Sequence, residues 1–314
     1  MSEVYCFYST LPATFNTMIM KTSSDHKSSN EIWENEKGVF ETYPNAKINL
    51  GLYVVERRPD GYHNLETVFY PIPLHDNLQI SKLENSNDPY LLQMAGNTIK
   101  GNPDDNLIIK VYNNLKQDFE LPPLDIYLYK RIPTGAGLGG GSSDAAFMMK
   151  AINEAYNLKL STEEMEKRVA RLGADCAFFI QDQPAYATGI GDILTPCQVN
   201  LKGKTLLLVK PQTFVSTKEA YGGVVPQQPE HDLRQALSAP IETWKDTVRN
   251  DFEKSVFKHH PGIASIKETL YDMGAIYASM SGSGSTVFGI FSHEIEEAER
   301  IFSDCFVFQE RLSI

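Results

Sequence analysis

Cysteine is scarce in this chain of 314 residues: the four present, Cys6, Cys176, Cys197 and Cys305, stand far apart with no CxxC pair among them. That spacing fits neither a zinc site nor a disulfide framework, and it suits a reducing compartment, so a cytoplasmic protein is expected. No apolar run approaches the ~20 residues of a spanning helix, and the N-terminus lacks the basic-then-apolar order of a signal peptide. Positive charge is also short. Lys and Arg number 29 against 40 Asp and Glu, a net charge of −11. Such a balance argues against nucleic-acid or anionic-membrane partners, both of which want a basic face. His26, His75, His231, His259, His260 and His293 show no metal-ligand spacing, and there are no repeats. What remains is a globular composition, 42% hydrophobic and 22% charged, with length enough for two domains.

Against these absences stands one dense feature, Pro133-Thr-Gly-Ala-Gly-Leu-Gly-Gly-Gly-Ser-Ser-Asp-Ala-Ala146, with five glycines and two serines ahead of a strong helix former. Glycine lets backbone N–H groups approach an anion closely, and a helix starting there adds unpaired N–H groups and its positive dipole end. The guest these features suit is a polyphosphate. Gly135, Gly137 and Gly140 also match G-x-G-x-x-G, but the dinucleotide reading needs a second strand ending in an acid about twenty residues on. A capping box and another helix are expected there instead, which weakens an NAD oxidoreductase. A Walker A loop is excluded because no Gly-Lys-Ser/Thr closes the run.

Along the chain, residues 1–41 show no sustained periodicity and are set aside as an extension, either a loosely held tail or a product of translation starting upstream of Met18 or Met20. Strands are expected at Ile48–Val55, Glu66–Leu74, Asn77–Leu83, Leu124–Arg131 and Ala185–Leu194. Helices are expected across Asp105–Asp118, across Ser142–Tyr156, and from the Ser161-Thr-Glu-Glu164 capping box to Gly173. From about Gly203 the pattern changes. Strands at Thr205–Val209, Ala275–Met280, Thr286–Phe291 and Phe306–Gln309 alternate with helices at Thr217–Tyr221, His231–Ala239, Ile263–Met273 and His293–Phe302. This order reads as a split βαβ arrangement. The expected division is an extension at 1–41, a nucleotide-binding domain at 42–202 and a second domain at 203–314.

Four segments together resemble the GHMP kinases over roughly residues 42–314. They are the glycine run, Pro44-Asn-Ala-Lys-Ile-Asn-Leu50 with Glu56-Arg-Arg-Pro-Asp-Gly-Tyr-His63, Leu172-Gly-Ala-Asp-Cys-Ala-Phe-Phe179, and Met280-Ser-Gly-Ser-Gly-Ser285. The Arg-Arg-Pro-Asp-Gly-Tyr-His string is the most specific. The resemblance implies an α+β fold of two domains, the first ribosomal-protein-S5-domain-2-like and the second ferredoxin-like. It further implies an ATP- and Mg²⁺-dependent kinase of the non-mevalonate isoprenoid pathway, acting as a monomer or weak homodimer on the 2-hydroxyl of a cytidine-diphosphate-linked methylerythritol. A GHMP kinase for another small alcohol, or a module that binds nucleotide without turnover, are the alternatives.

By the same resemblance Lys47 and Asp175 are the catalytic pair, with Asp175 taking the acceptor proton and Lys47 supporting it. Pro133, Gly135, Gly137, Leu138, Gly139, Gly140, Gly141, Ser142 and Ser143 hold the ATP phosphates, and Asn106 and Lys130 lie near adenine. Ser142 or Ser143 offers a hydroxyl to Mg²⁺ or phosphate. Tyr62 and His63 stack on and hydrogen-bond the cytosine, Tyr221 covers its other face, and Asn49 and Thr217 are polar contacts to the same substrate. Two departures stand out. Ala177 replaces a usual proline, which is expected to loosen that turn. Asp144 puts an anion beside the loop and is expected to face Mg²⁺, a helix cap or solvent.

Overall fold

The computed structural model describes residues 31–97 and 101–314. The alternative start sites and Cys6 lie outside the described residues. Two short strands form at the end of the stretch set aside from sequence, β1 (Trp33–Glu34) inside it and β2 (Phe40–Thr42) running one residue past it, and β2 pairs antiparallel with β5 (Asn77–Lys82). The next sheet partner of β5 is β7 (Leu124–Lys130), which then pairs in parallel with β6 (Tyr90–Gly96). Strand β6 escaped the sequence reading because it is half-exposed and carries little apolar alternation. The sheet order is β1-β2-β5-β7-β6.

A second sheet is built on a long hairpin, β3 (Asn45–Arg57) with β4 (His63–His75), continued by β8 (Ala185–Thr188) and β9 (Ile193–Pro196). Sequence periodicity suggested one strand over 185–194; the chain instead turns between Thr188 and Ile193 and folds the segment into a hairpin. The third sheet has the order β11 (Tyr277–Met280), β12 (Val287–Phe291), β10 (Thr205–Lys210), β13 (Phe306–Arg311), with every neighbour antiparallel. Numbered within that domain the order is 2-3-1-4, the ferredoxin-like split βαβ topology.

Helix Leu107–Leu115 buries Ile108, Ile109, Val111, Tyr112 and Leu115 on the face its apolar stripe implied. With helix Gly140–Ala155 it packs on Leu78, Ile80, Ile126 and Leu128 of the five-stranded sheet. Helix Thr162–Val169 opens with the expected reciprocal Ser161–Glu164 capping box but ends four residues before Gly173. Short helices at Trp244–Thr247 and Glu253–His259 were not anticipated, while the one expected over 293–302 shrinks to Ala298–Ile301. Ile48, Leu50, Val68 and Tyr70 of the long hairpin share a core with Leu206, Leu208, Phe288 and Ile290 of the third sheet. That shared core joins the two halves and sets the floor of the cleft between them. No helix among the described residues is long and apolar enough to cross a membrane.

Candidate active site

The cleft holds a cavity of about 1030 Å³, lined by the start of β3, the far end of the β3–β4 hairpin, the glycine run, Asp175 and the Val215–Tyr221 segment. Lys47 points into it from β3, where an isolated lysine side chain is only 4% exposed. Burying an ammonium is costly unless it is paired and hydrogen-bonded. Lys47 Nζ meets that condition three ways: it donates to Asn49 Oδ1 at 2.7 Å and to the Gly137 carbonyl at 3.2 Å, and it lies 3.4 Å from Asp175 Oδ2. The Phe69 ring centroid is 5.0 Å from the same nitrogen. Asp175 keeps 34% of its side chain exposed to the cavity, so its carboxylate is held at one oxygen and open to a ligand.

Asn49 lines the cavity, but its polar atoms are largely engaged by neighbouring side chains. Its side chain is 3% exposed and is spent on Lys47 and, through Nδ2, on Thr67 Oγ1 at 2.9 Å. It orients the lysine while contributing little free polar surface to a substrate.

The glycine run leaves β7 and reaches helix Gly140–Ala155 across Pro133–Gly139. Gly135, Gly137 and Gly139 line the cavity. Leu138 sends its side chain into the core and accepts the Lys47 N–H with its carbonyl at 3.0 Å. Gly140, Gly141 and Ser142 open the helix, so their N–H groups are among those a helix leaves unpaired, whereas the Ser143 N–H already donates to the Gly139 carbonyl at 2.9 Å. Ser143 Oγ is fully buried there without a hydrogen-bond partner. The serine-glycine loop of the third sheet braces this run: Ser281 Oγ donates to the Gly137 carbonyl at 2.8 Å and accepts Asn49 N–H at 3.3 Å. Cys176, next to Asp175, is buried and hydrogen-bonded by Ser142; burial pushes its thiol up to about 11, which leaves it an unreactive packing group.

At the other end of the cavity the turn after β3 presents Tyr62, 62% exposed, beside His63. Asp60 shapes that turn by accepting the Tyr62 N–H and pairing with Arg58. The His63 ring stacks on Tyr221 with centroids 4.9 Å apart and 23° between planes. Burial, with Arg57 adding, lowers the His63 pKa, so the ring is neutral at pH 7 and able to use one nitrogen as acceptor. Tyr221 is held from behind by Phe252 at 4.8 Å, edge on. Thr217, at the exposed start of its short helix, faces the same cavity.

Three residues lie elsewhere than the sequence suggested. Lys130 does not line the cavity: it is buried beneath the helix start, paired with Asp76 and Asp144. Its ammonium needs neutralising in the dry interior, and the two carboxylates are nearer than any ligand. Asn106 caps the helix Leu107–Leu115, with Oδ1 accepting the Ile108 N–H at 3.1 Å and Nδ2 directed at Met94 Sδ. Asp144 is buried away from solvent and faces Lys130, at 2.6 Å. Ala177 takes φ −61°, the angle a proline would impose, so the turn keeps its shape without one. Sequence reasoning missed Phe214, an exposed aromatic lying over Gly135, and the cations Arg57 and Lys218 on the cavity wall. Their only signal was position beside the recognised segments.

Comparison with known proteins agrees with this geometry. The GHMP kinases N terminal domain matches residues 106–189 and the GHMP kinases C terminal domain residues 233–307. A 4-diphosphocytidyl-2-C-methyl-D-erythritol kinase of Bacteroides fragilis is 55% identical over 271 residues, covering 86% of this chain and 99% of the relative. One from Chlorobium phaeobacteroides is 39% identical over 272 residues, covering 83% and 93%. A crystal structure of 4-(cytidine 5'-diphospho)-2C-methyl-D-erythritol kinase superposes with a TM-score of 0.72 at 29% identity, covering 86% of this chain and 97% of the other. Homoserine kinase from Cytophaga hutchinsonii, at 16% identity and a TM-score of 0.62, shares the fold. A braced glycine run, a lysine–carboxylate pair at its mouth and an aromatic end to one cleft thus accompany close sequence kinship, and the chain belongs to the GHMP kinases, among the 4-diphosphocytidyl-2-C-methyl-D-erythritol kinases.

Proposed function

We propose that this chain transfers the γ-phosphate of ATP to the 2-hydroxyl of 4-diphosphocytidyl-2-C-methyl-D-erythritol, giving the 2-phosphate and ADP in the non-mevalonate route to isoprenoid precursors. The observation that carries the reading is the Lys47–Asp175 pair, 3.4 Å apart, inside the cavity that the glycine run also lines. Phosphoryl transfer needs in-line positioning and charge compensation more than covalent chemistry. Backbone N–H groups of Gly137–Ser142 grip the phosphates. The exposed oxygen of Asp175 accepts a hydrogen bond from the acceptor hydroxyl and takes its proton late, as the O–P bond forms. A carboxylate with a pKa near ~4 cannot deprotonate a ground-state alcohol about as weakly acidic as water, near ~15.7. Lys47, fixed by Asn49 and the Gly137 carbonyl, pairs with Asp175 and offsets charge on the transferring oxygens.

Tyr62, His63 and Tyr221 supply the base end: aromatic faces for a flat cytosine and a neutral imidazole for its polar edge. Mg²⁺ fits the residues present, since the orphaned Ser143 hydroxyl and the open Asp175 oxygen are hard oxygen ligands, and Mg²⁺ takes most of its shell from phosphates and water. When bound, the ion spreads the phosphate charge.

The test is ADP release measured with the cytidyl acceptor beside mevalonate, homoserine and galactose. Turnover with the cytidyl acceptor alone is expected. Equal turnover with a substrate lacking cytosine would assign the cavity to a different alcohol, and ATP binding with no ADP production from any of them would leave a non-catalytic module.

A further inference from the structure

Directly behind the glycine run, on the side away from the cavity, lies a buried cluster of three ionisable side chains. Asp76 sits between β4 and β5, Lys130 ends β7, and Asp144 is the fifth residue of the helix Gly140–Ala155. Their side chains are 0%, 2% and 2% exposed. Asp76 Oδ1 accepts the backbone N–H of Arg131 at 2.6 Å and of Ile132 at 2.8 Å, the two residues at which the chain leaves β7. Asp76 Oδ2 accepts from Lys130 Nζ, and the same ammonium donates to Asp144 Oδ2 at 2.6 Å. Lys130 Nζ also lies 3.4 Å from where a Cβ on Gly140 would stand, which places it under the first residue of the helix. One ammonium therefore ties the exit of the strand to the start of the helix, and the phosphate-gripping run is the span between those two anchors.

Stability alone is a poor reason for this cluster. Taking three ionisable groups out of water is expensive, and well-packed apolar side chains of similar volume hold a core equally well or better. Directional bonds differ from apolar packing in that they fix the anchors' separation and angle. A glycine-rich span has little stiffness of its own, so the aim of its N–H groups depends on where its ends are held.

We propose that Asp76, Lys130 and Asp144 are positioning residues for the phosphate run, acting on nucleotide binding through the spacing of its two ends and leaving acceptor binding untouched. The inference rests on the kinase reading in one respect, that the ligand of the run is a nucleoside triphosphate. Removing the Asp144 carboxylate frees the helix anchor, while an amide at the same position keeps an oxygen for Lys130.

The experiment measures the Kd of a non-hydrolysable ATP analogue, the KM values for ATP and for the cytidyl acceptor, and the melting temperature, in the full-length wild type, Asp144→Ala and Asp144→Asn. Asp144→Ala is expected to weaken nucleotide binding at least tenfold with acceptor KM within twofold of wild type, and Asp144→Asn to recover most of the loss. A lowered melting temperature with unchanged nucleotide Kd, or nucleotide and acceptor constants rising together, would overturn the proposal. Should Asp144→Ala not fold, Asp144→Ser, whose hydroxyl is too short to reach Lys130, decides: at least threefold weaker nucleotide binding with intact acceptor KM upholds the positioning role, and wild-type binding refutes it. A wild type that binds the analogue but does not phosphorylate the cytidyl acceptor sinks the assigned reaction alone, because the nucleotide Kd comparison stands without turnover.

Discussion

Replacing Gly137 with alanine probes the junction on which the site depends. Gly137 has φ +77°, and a Cβ there would fall far inside the 3.0 Å that real Cβ atoms keep from the Ser281 carbonyl oxygen, with the Gly284 carbonyl also at 3.3 Å. The left-handed backbone costs an alanine roughly 1–2 kcal/mol. For domains of this size that lowers Tm by roughly 2–8 °C. Backbone cannot swing aside as a side chain can, so the Ser281 loop must retreat by about 1 Å, a misplacement of the kind worth about 10²-fold in rate. The retreat also disturbs the Gly137 carbonyl, which accepts from both Lys47 Nζ and Ser281 Oγ. Gly262→Ala is the matched control: it lies in a helix, has open space around it, and should stabilise by about 0.5–1 kcal/mol. Differential scanning fluorimetry and coupled ADP release read both effects. A Gly137→Ala enzyme with wild-type melting and turnover would refute the claim that the two loops are in obligatory contact.

Asp175→Asn and Lys47→Ala should each lower kcat by about 10²–10⁴, and near-normal turnover of both purified variants would remove the pair from the mechanism. Tyr62→Ala should raise the cytidyl acceptor KM by the equivalent of about 1–3 kcal/mol of lost stacking; a fall in kcat at constant KM would contradict the assignment of Tyr62 to the base. His75 is held neutral, its pKa lowered to about 4 by burial with Arg131 adding. The unfolded chain therefore binds the extra proton first, and stability falls as pH drops from about 6.5 towards about 4. Urea unfolding at pH 7 and pH 5 should show a loss of about 2 kcal/mol from this group, absent in His75→Gln; an identical pH dependence in both proteins would exclude His75 as its source.

Much of the site was legible because its chemistry is written in contiguous residues. The glycine run pointed to a phosphate cradle, since glycine permits close backbone approach to an anion. The Tyr62-His63 turn and the aspartate of Leu172–Phe179 could be read by resemblance for the same reason. Other roles were not legible. Lys130, Asp144 and Asn106 each look available in sequence, yet the fold gives them buried or capping partners, and Asp76 carries no local signal at all. Asn49 was read as a substrate contact, and its bond to Lys47 needed β3 to place the two on the same face. Strand β6 was missed because it is half-exposed with little apolar alternation, and the β8–β9 hairpin was read as one strand because the turn at 189–192 between its arms was passed over.

Sequence by itself determined the local geometry: the glycine span, the helix after it, the capping box, and the order of strands and helices that makes the second domain a split βαβ unit. These depend on backbone freedom and side-chain periodicity within a dozen residues. Tertiary structure alone decided which charges meet. Lys47 and Asp175 are 128 positions apart and Asp76 and Asp144 are 68 apart, and each pairing depends on how sheets stack and where water is excluded. A charge acquires its role from its nearest counter-charge in a dry interior, and that neighbour is chosen by packing.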